Sequence, residues 1–446
     1  MQQPCSHSHQ AIDAERGGAH FINLRHLRAF LAVAAAAGSV SAAAETLCRV
    51  PSGVTRSIAE LERGFRRPLF DRRARGMALN SYGELVLVRA RRIEREFEQA
   101  QAGLVAHGGM DANADLHSIF DFILNGRRLA VIASLAEKGN MHAVAREFGL
   151  TQPGVSAALK AIEEGLGATL FERAARGLTP TKAGGIVVFH FKRVLSELRH
   201  IGPDIAASEG TLQGRINVGA LPLARTEILP LSMASLLARH PLLHVTTVES
   251  PYDALAASLR SGDVDFILGA LRPAGEAGDL HQQALFEDPV SLVVRAGHPL
   301  AVEPRVGFDA LSRAVWALPR RGSPSRELIE RFFSDADRAP PRPAVETGDL
   351  AVLRGLLLGS DMVTAISAHQ LRYEIRDGSL VVLDHPLERT RRQIGLTQRA
   401  GALPSPGAHA LMQEIRSMVA GSPDLKKAGA PASQRQRRSL GEPREA

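Results

Sequence analysis

The stretch RRLAVIASLAEKGNMHAVAREFGLTQPGVSAALKAIEEGLGATLFERAARGLTPTKAG, residues 127–184, decides how the rest of the chain is read. Leu129, Ile132, Ala133 and Leu135 make one apolar helical face, and Gly139 ends it. Met141 to Phe148 reads as a second, short helix with its turn at Gly149. Thr151 then stands as an N-cap, and Pro153 sits in the first turn, where a missing N–H costs little. Val155, Leu159, Ile162 and Leu166 recur at spacings of four, three and four. That periodicity buries one face and leaves Gln152, Ser156, Ala157 and Lys160 on the other. Arg173, Arg176, Gly177, Leu178, Thr179 and Pro180 follow as a tight basic hairpin. The run from Ala183 to Ile201 is helix-compatible, too apolar to stand alone, and predicted to stop at Gly202-Pro203.

The same pattern occurs twice. A shift of 101 residues aligns residues 24–83 with the later stretch without a gap. Gly38, Ala42, Ala44, Gly53, Val54 and Glu62 recur as Gly139, Ala143, Ala145, Gly154, Val155 and Glu163. Leu69, Phe70, Arg72, Ala74, Arg75 and Gly76 recur as Leu170, Phe171, Arg173, Ala175, Arg176 and Gly177, while Arg73 faces Ala174. A helix, a glycine turn and a helix with short polar side chains at its start suit insertion into a DNA major groove, with the basic hairpin set against phosphate. Charge agrees: residues 23–106 carry 14 basic against 8 acidic side chains, and residues 126–208 carry 11 against 7. Residues 209–420 carry 22 against 24, so a basic front half joins a nearly neutral back half.

These motifs resemble those of the LysR-type transcriptional regulators, whose winged helix-turn-helix signature is similar to residues 150–184 along its whole length. The resemblance covers about residues 24–420. It implies an α plus α/β fold: two N-terminal winged helix-turn-helix domains with linker helices, then a two-lobed, periplasmic-binding-protein-like effector domain. The expected divisions are copy 1 with its linker helix at 23–106, a spacer at 107–125, copy 2 with its linker helix at 126–208, the effector domain at 213–420 and a disordered tail at 421–446. It also implies double-stranded promoter DNA and a small-molecule effector as partners, a homo-oligomer (dimer or tetramer), possible contact with RNA polymerase, and no cofactor. The residues carried over for DNA are Thr151, Gln152, Pro153, Ser156, Lys160, Arg173, Arg176 and Thr179, with Arg56, Arg72, Arg73 and Arg75 from copy 1.

Copy 1 departs from the pattern. Val50-Pro51-Ser52 replaces Thr151-Gln152-Pro153, Cys48 stands at the turn held by Gly149, and Arg56 stands at the place of Ala157. Three roles stay open for it: reading another sequence, gripping phosphates only, or serving as a structural copy. Members of the family usually carry one such domain and pair their linker helices between chains. Here a second helix, Glu84 to Leu104, carries the stripe Leu85, Val88, Ile93 and Phe97. Pairing within one chain across the polar spacer and pairing between chains both fit the sequence.

From Gly214 short apolar strands alternate with helices: strands at 215–219, 244–249 and 264–268, helices at 227–238 and 252–260. A second such run starts near Pro289, and the strands at 380–384 and 394–399 are expected to return to the first lobe. Two lobes joined by crossing strands make a cleft at the carboxyl ends of the strands. Leu221, Pro222, Leu223, Arg225, Thr226, Ser250, Arg272, Ser323 and Ser325 occupy such ends, and their hydroxyls and guanidinium groups suit an anionic or polyol effector.

Other classes lack support in the sequence. There is no GxSxG, P-loop, GxGxxG after a strand, or HExxH, which argues against an enzyme. Asp263 and Asp265 flank a strand start and read as loop caps. Cys5, His7 and His9 lack a fourth ligand, so no metal site is expected, and two cysteines fit a reducing compartment. No apolar run is long enough to span a bilayer and the first residues do not read as a signal peptide, so a cytoplasmic protein without membrane contact is expected. A solute-binding receptor would share the cleft but not the basic repeats.

Overall fold

The computed structural model describes residues 22–73, 76–108, 126–175, 177–273, 275, 278–385 and 387–422. Copy 1 consists of helices α1 (Leu24–Ala35), α2 (Val40–Thr46) and α3 (Pro51–Phe65), the hairpin β1 (Phe70–Arg73) and β2 (Gly76–Leu79), and the long helix α4 (Ser81–Ala106). Copy 2 repeats it as α5 (Gly126–Lys138), α6 (Met141–Phe148), α7 (Gln152–Leu166), β3 (Phe171–Ala174), β4 (Gly177–Pro180) and α8 (Lys182–Ser208).

The recurrent residues have the same jobs in both copies. Gly38 and Gly139 adopt positive φ, and their carbonyls accept from Met77 N–H at 3.0 Å and Leu178 N–H at 2.8 Å. A Cβ on Gly38 would lie 1.6 Å from the Met77 carbonyl oxygen, so only glycine lets the wing close onto this turn. Glu62 Oε1 accepts from the N–H groups of Leu69 and Phe70 at 2.7 and 3.3 Å, and Glu163 Oε1 does the same for Leu170 and Phe171 at the same distances. Each glutamate thereby ties the end of the recognition helix to the base of the wing.

Helices α4 and α8 pack against each other within the chain, and one continuous apolar core runs through both copies. The pairing is antiparallel and centred near Ile93 and Val194, both fully buried. Phe97 meets Phe191 edge-on at 6.3 Å. Arg89 Nη1 binds Glu197 at 2.8 Å, and the equivalent pair, His190 Nδ1 and Glu96, lies at 2.8 Å on the other side. Arg92 to Glu197 at 2.7 Å is likewise matched by Arg193 to Glu96 at 3.4 Å. This reciprocity defines a local two-fold axis, so one polypeptide supplies both halves of the linker-helix pair.

Helix α8 continues through Gly202 and Pro203 instead of stopping there. An internal proline costs roughly 3 kcal/mol. Residues beyond it compensate: Asp204 binds the buried Arg89 at 2.6 Å and Ile205 enters the shared core.

The C-terminal part holds one sheet whose strands lie in the order 343–346, 315–318, 362–367, 280–295, 391–399, 266–270, 214–220 and 243–248, with 380–382 paired to the side of 280–295. Lobe I contains β5 (Gly214–Ala220), α9 (Ile228–Arg239), β6 (Leu243–Val248), α10 (Tyr252–Ser261), β7 (Phe266–Ala270) and α15 (Pro406–Gly421). Lobe II contains α11 (Phe308–Arg313), β9 (Val315–Leu318), α12 (Pro324–Asp335), β10 (Pro343–Glu346), α13 (Leu350–Gly359), β11 (Met362–Ser367), α14 (Arg372–Asp377) and β12 (Leu380–Val382). The long strand β8 (Leu280–Arg295) and β13 (Arg391–Arg399) run through both lobes. Pairs within each βαβ unit are parallel, and the two crossing strands make antiparallel pairs. Of the two strands expected to return to lobe I, only β13 does so by pairing with β7. β12 stays in lobe II, because its apolar side chains pair along Val293–Arg295 of β8. Residue 421 closes α15, and residues 423–446 lie outside the described part, as do 109–125 of the spacer and Cys5, His7 and His9.

Candidate nucleic-acid interface and ligand cleft

Copy 2 presents its recognition helix as the periodicity requires. Val155, Leu159, Ile162 and Leu166 are buried, and Gln152, Pro153, Ser156 and Lys160 are exposed. Thr151 is also exposed, and its hydroxyl accepts from Gly154 N–H at 3.2 Å as the helix cap. Lys160 lies 3.5 Å from Glu164, with both side chains in solvent, a pairing worth less than about 1 kcal/mol. Arg173 and Thr179 are exposed on the wing, while Arg176 lies outside the described residues.

In copy 1, Arg56, Arg72 and Arg73 are exposed, and Arg75 lies outside the described residues. The start of α3 has no side-chain cap, because Val50 stands where copy 2 has Thr151. Cys48 and Arg66 take left-handed backbone at φ 50° and 55°, positions that copy 2 gives to Gly149 and Gly167. Non-glycine residues there cost roughly 1 kcal/mol each. Copy 1 keeps the fold with less favourable local chemistry.

The cleft residues divide by lobe. Leu221 packs in one cluster with Tyr252 and crowds Gly269, whose Cβ would lie 2.4 Å from that of Leu221. The Arg272 guanidinium lies 4.2 Å from the Tyr252 ring centre, and Ser250 is exposed just before that tyrosine. Pro222 is half-buried at the start of a single 3-10 turn, Leu223 points into the core of lobe I, and Arg225 is exposed. Thr226 donates to the Gln370 carbonyl at 3.3 Å, and the neighbouring Glu227 pairs with Arg372, so this segment bridges the lobes. On lobe II, Ser323 begins the twelve-residue helix α12 with a buried hydroxyl that has no hydrogen-bond partner among the described residues. Ser325 is buried and receives a bond from Arg392. Arg392 also binds the fully buried Asp288 at 3.0 Å, and Asp288 accepts from Ser367 at 2.6 Å.

Sequence reasoning missed the residues that hold the parts together. Arg89 is 1% exposed and binds Glu197, Asp204 and the carbonyls of Leu403 and Pro404. Burial works against its charge, but the hydrogen bonds and charges of Asp204 and Glu197 outweigh that and raise its pKa. Arg92 reaches the Gly401 carbonyl at 3.0 Å. On the opposite side, Arg193 binds the Arg260 carbonyl, Lys192 binds Asp263 at 2.7 Å and His200 lies 3.4 Å from Asp265. Asp263 and Asp265 therefore serve docking: both linker helices are anchored to the one sensor domain. The repeat carries part of the signal, since Glu96 and Glu197 occupy equivalent places on the two helices, but it does not say what covers them.

Two winged helix-turn-helix heads on a two-lobed α/β module define a DNA-binding regulator with a ligand-sensing domain. Family comparison agrees with that class. The family described as "Bacterial regulatory helix-turn-helix protein, lysR family" matches residues 24–84 and 127–185, and "LysR substrate binding domain" matches 209–420. The chain is 47% identical over 397 residues to the HTH-type transcriptional regulator GalR of Pseudomonas putida, covering 89% of this chain and 97% of that one. The 49 residues left uncovered are fewer than the 61 or 59 of either helix-turn-helix match, so neither copy lies wholly outside the alignment. The HTH-type transcriptional regulator PcaQ of Agrobacterium fabrum is 30% identical over 291 residues, 65% of this chain and 93% of that one. A full-length OxyR variant from Pseudomonas aeruginosa has the same fold, with a TM-score of 0.51 at 21% identity over 66% of this chain and 97% of that one. The chain belongs to the LysR family of transcriptional regulators and is not an enzyme. No helix among the described residues is long and apolar enough to cross a membrane.

Proposed function

We propose that each chain acts as a self-contained pair of DNA-reading heads governed by one effector cleft, in the cytoplasm and as part of a homo-oligomer. In this reading Gln152, Ser156 and Lys160 meet base edges or nearby phosphates, Thr151 and Pro153 set the entry of α7, and Arg173, Arg176 and Thr179 hold the backbone. Arg56, Arg72, Arg73 and Arg75 do the corresponding work in copy 1. The observation that supports it best is the reciprocal α4–α8 pairing, which gives one chain the two-headed arrangement that a helix-turn-helix dimer uses on DNA. The cleft takes a small anionic or polyol effector between Leu221, Pro222, Arg225, Thr226, Ser250 and Arg272 of lobe I and Ser323 and Ser325 of lobe II, Leu223 being turned into the core. The unpartnered Ser323 hydroxyl at the start of α12 and the cation over Tyr252 support an anionic group there. Contact with RNA polymerase is the route by which a bound regulator would act on transcription.

Affinity of the full chain for its promoter region, measured at several salt concentrations, tests the heads. Lys160→Ala and Arg173→Ala should each weaken binding, and loss of one phosphate contact should reduce the salt slope by about one unit. Unchanged affinity and slope in the double variant would overturn the assignment. For the cleft, calorimetric titration with small organic acids and with polyols separates the two effector classes. Arg272→Ala should abolish binding of the acids alone.

A further inference from the structure

The two heads are held together by a pairing that joins copy 1 to copy 2, and the exposed faces of their second helices in the turn differ at nearly every equivalent position. Gln152 is replaced in copy 1 by Pro51, Pro153 by Ser52, Ala157 by Arg56 and Lys160 by Ala59. Pro51, Ser52, Arg56 and Ala59 are all exposed on α3, as Gln152, Pro153, Ala157 and Lys160 are on α7. Ser156 is matched by Thr55, but the Thr55 hydroxyl donates to the Pro51 carbonyl at 3.1 Å and is turned back onto its own helix. Val50 stands 66% exposed at the start of α3, apolar where copy 2 has the Thr151 hydroxyl. The readable set is thus a guanidinium, the Ser52 hydroxyl at the helix start and an apolar neighbour in copy 1, and an amide, a hydroxyl and an ammonium in copy 2.

The pairing itself favours unlike heads. Arg89 is neutralised by Glu197 and also by Asp204, and Asp204 occupies the place at which copy 1 has Gly103. Two α4 helices paired with each other would offer each Arg89 no second carboxylate from that position. An incompletely compensated buried cation is strongly unfavourable.

From this we infer that the protein recognises a non-palindromic operator made of two unlike, inverted half-sites, read by one chain. In the copy 1 half, Arg56 selects guanine through its O6 and N7, with Val50 against a thymine methyl group. In the copy 2 half, Gln152 selects adenine through N6 and N7, the geometry that a side-chain amide matches. The inference rests on the DNA-binding reading above and adds to it the identity of each half.

Selection of bound duplexes from a random-sequence pool by the full chain tests it. The expected sites have two different halves, and artificial palindromes built from either half bind at least about tenfold more weakly than the recovered site. Arg56→Ala should bring all four bases at the guanine position within about twofold, without changing preferences in the other half. Gln152→Ala should do the converse. Recovery of palindromic sites, or an Arg56→Ala variant that weakens every sequence equally, overturns the inference while leaving DNA binding intact. A wild-type chain that enriches no sequence and shows no salt-dependent binding overturns the underlying reading as well.

Discussion

Arg89 and Glu197 form a 2.8 Å ion pair in which both side chains are almost wholly removed from solvent, and the pair recurs across the local two-fold as His190 and Glu96. The two versions are not equal. Arg89 has a second carboxylate in Asp204 and two backbone carbonyls from the sensor domain, whereas His190 is confined to the helix pair. Copy 1's linker helix is therefore clamped at once to copy 2 and to the loop at 401–404. Replacing Arg89 by Ala leaves the half-buried Asp204 without this partner and the buried Glu197 with Arg92, and should lower stability by about 3 kcal/mol, measured by denaturant unfolding of the full chain. Joint replacement Arg89→Met and Asp204→Asn should recover part of that loss, since the carboxylate left without a partner is removed while Glu197 keeps Arg92.

Glu96 gives the same interface a pH dependence. Its burial would raise the carboxyl pKa, but the hydrogen bond with His190 and the charges of Arg193 and His190 outweigh this and hold it below the ordinary glutamate range. A group depressed on folding adds stability that is present above its unfolded value, about 4.3, and lost as the pH falls through the lower folded value. The thermal midpoint should therefore decline on acidification below about pH 4.3, and Glu96→Gln should make that decline shallower. An identical profile in the variant would remove Glu96 from the account.

Each head could be read from the sequence because its requirements are local. Gly38 and Gly139 need positive φ and close approach of the wing, and residues with those demands recur at fixed spacing. Partner choice for the linker helices was not legible: the stripe containing Ile93 and Phe97 fits a helix from its own chain or from another equally well. The burial of Arg89 was not legible for the same reason, since it depends on what covers the helix. Pro203 was misleading because local propensity favours a stop, while Asp204 and Ile205 are held by tertiary contacts beyond it. In the cleft, residues at strand ends were found by position alone. That method could not distinguish Leu223, which turns into the core, from Leu221, which packs with Tyr252.

The paired glutamates of the wings provide a matched test. Glu62 and Glu163 each accept two backbone N–H groups in the same geometry, so their removal should have the same cost in both heads. Truncation to Ala leaves those donors without their charged acceptor, a loss of about 1.5–3 kcal/mol. Gln retains an acceptor oxygen and should cost about half as much. Salt-dependent DNA binding should weaken in parallel, because each wing loses its attachment to the recognition helix. If Glu62→Ala alone leaves DNA affinity unchanged while destabilising the fold, copy 1's wing makes no contact with the duplex.

Arg391 and Arg392 are adjacent on β13 and point to opposite faces, which separates the effect of burial from that of charge. Arg391 lies 3.7 Å from Glu287 with both side chains about half exposed, a pair screened by water and worth no more than about 1 kcal/mol. Arg392 binds Asp288, a residue with no exposed surface, and also Ser325 at the start of α12. It therefore joins the strands crossing between the lobes to the helix that borders the cleft. Removing its guanidinium leaves Asp288 with the Ser367 hydroxyl as its remaining side-chain donor. Arg392→Ala should lower stability by about 3 kcal/mol or more, while Arg391→Ala should change it by less than about 1 kcal/mol. Equal effects in side-by-side denaturant unfolding would mean that Asp288 is neutralised by means other than Arg392, and the lobes would then be coupled through Thr226 and Glu227 instead.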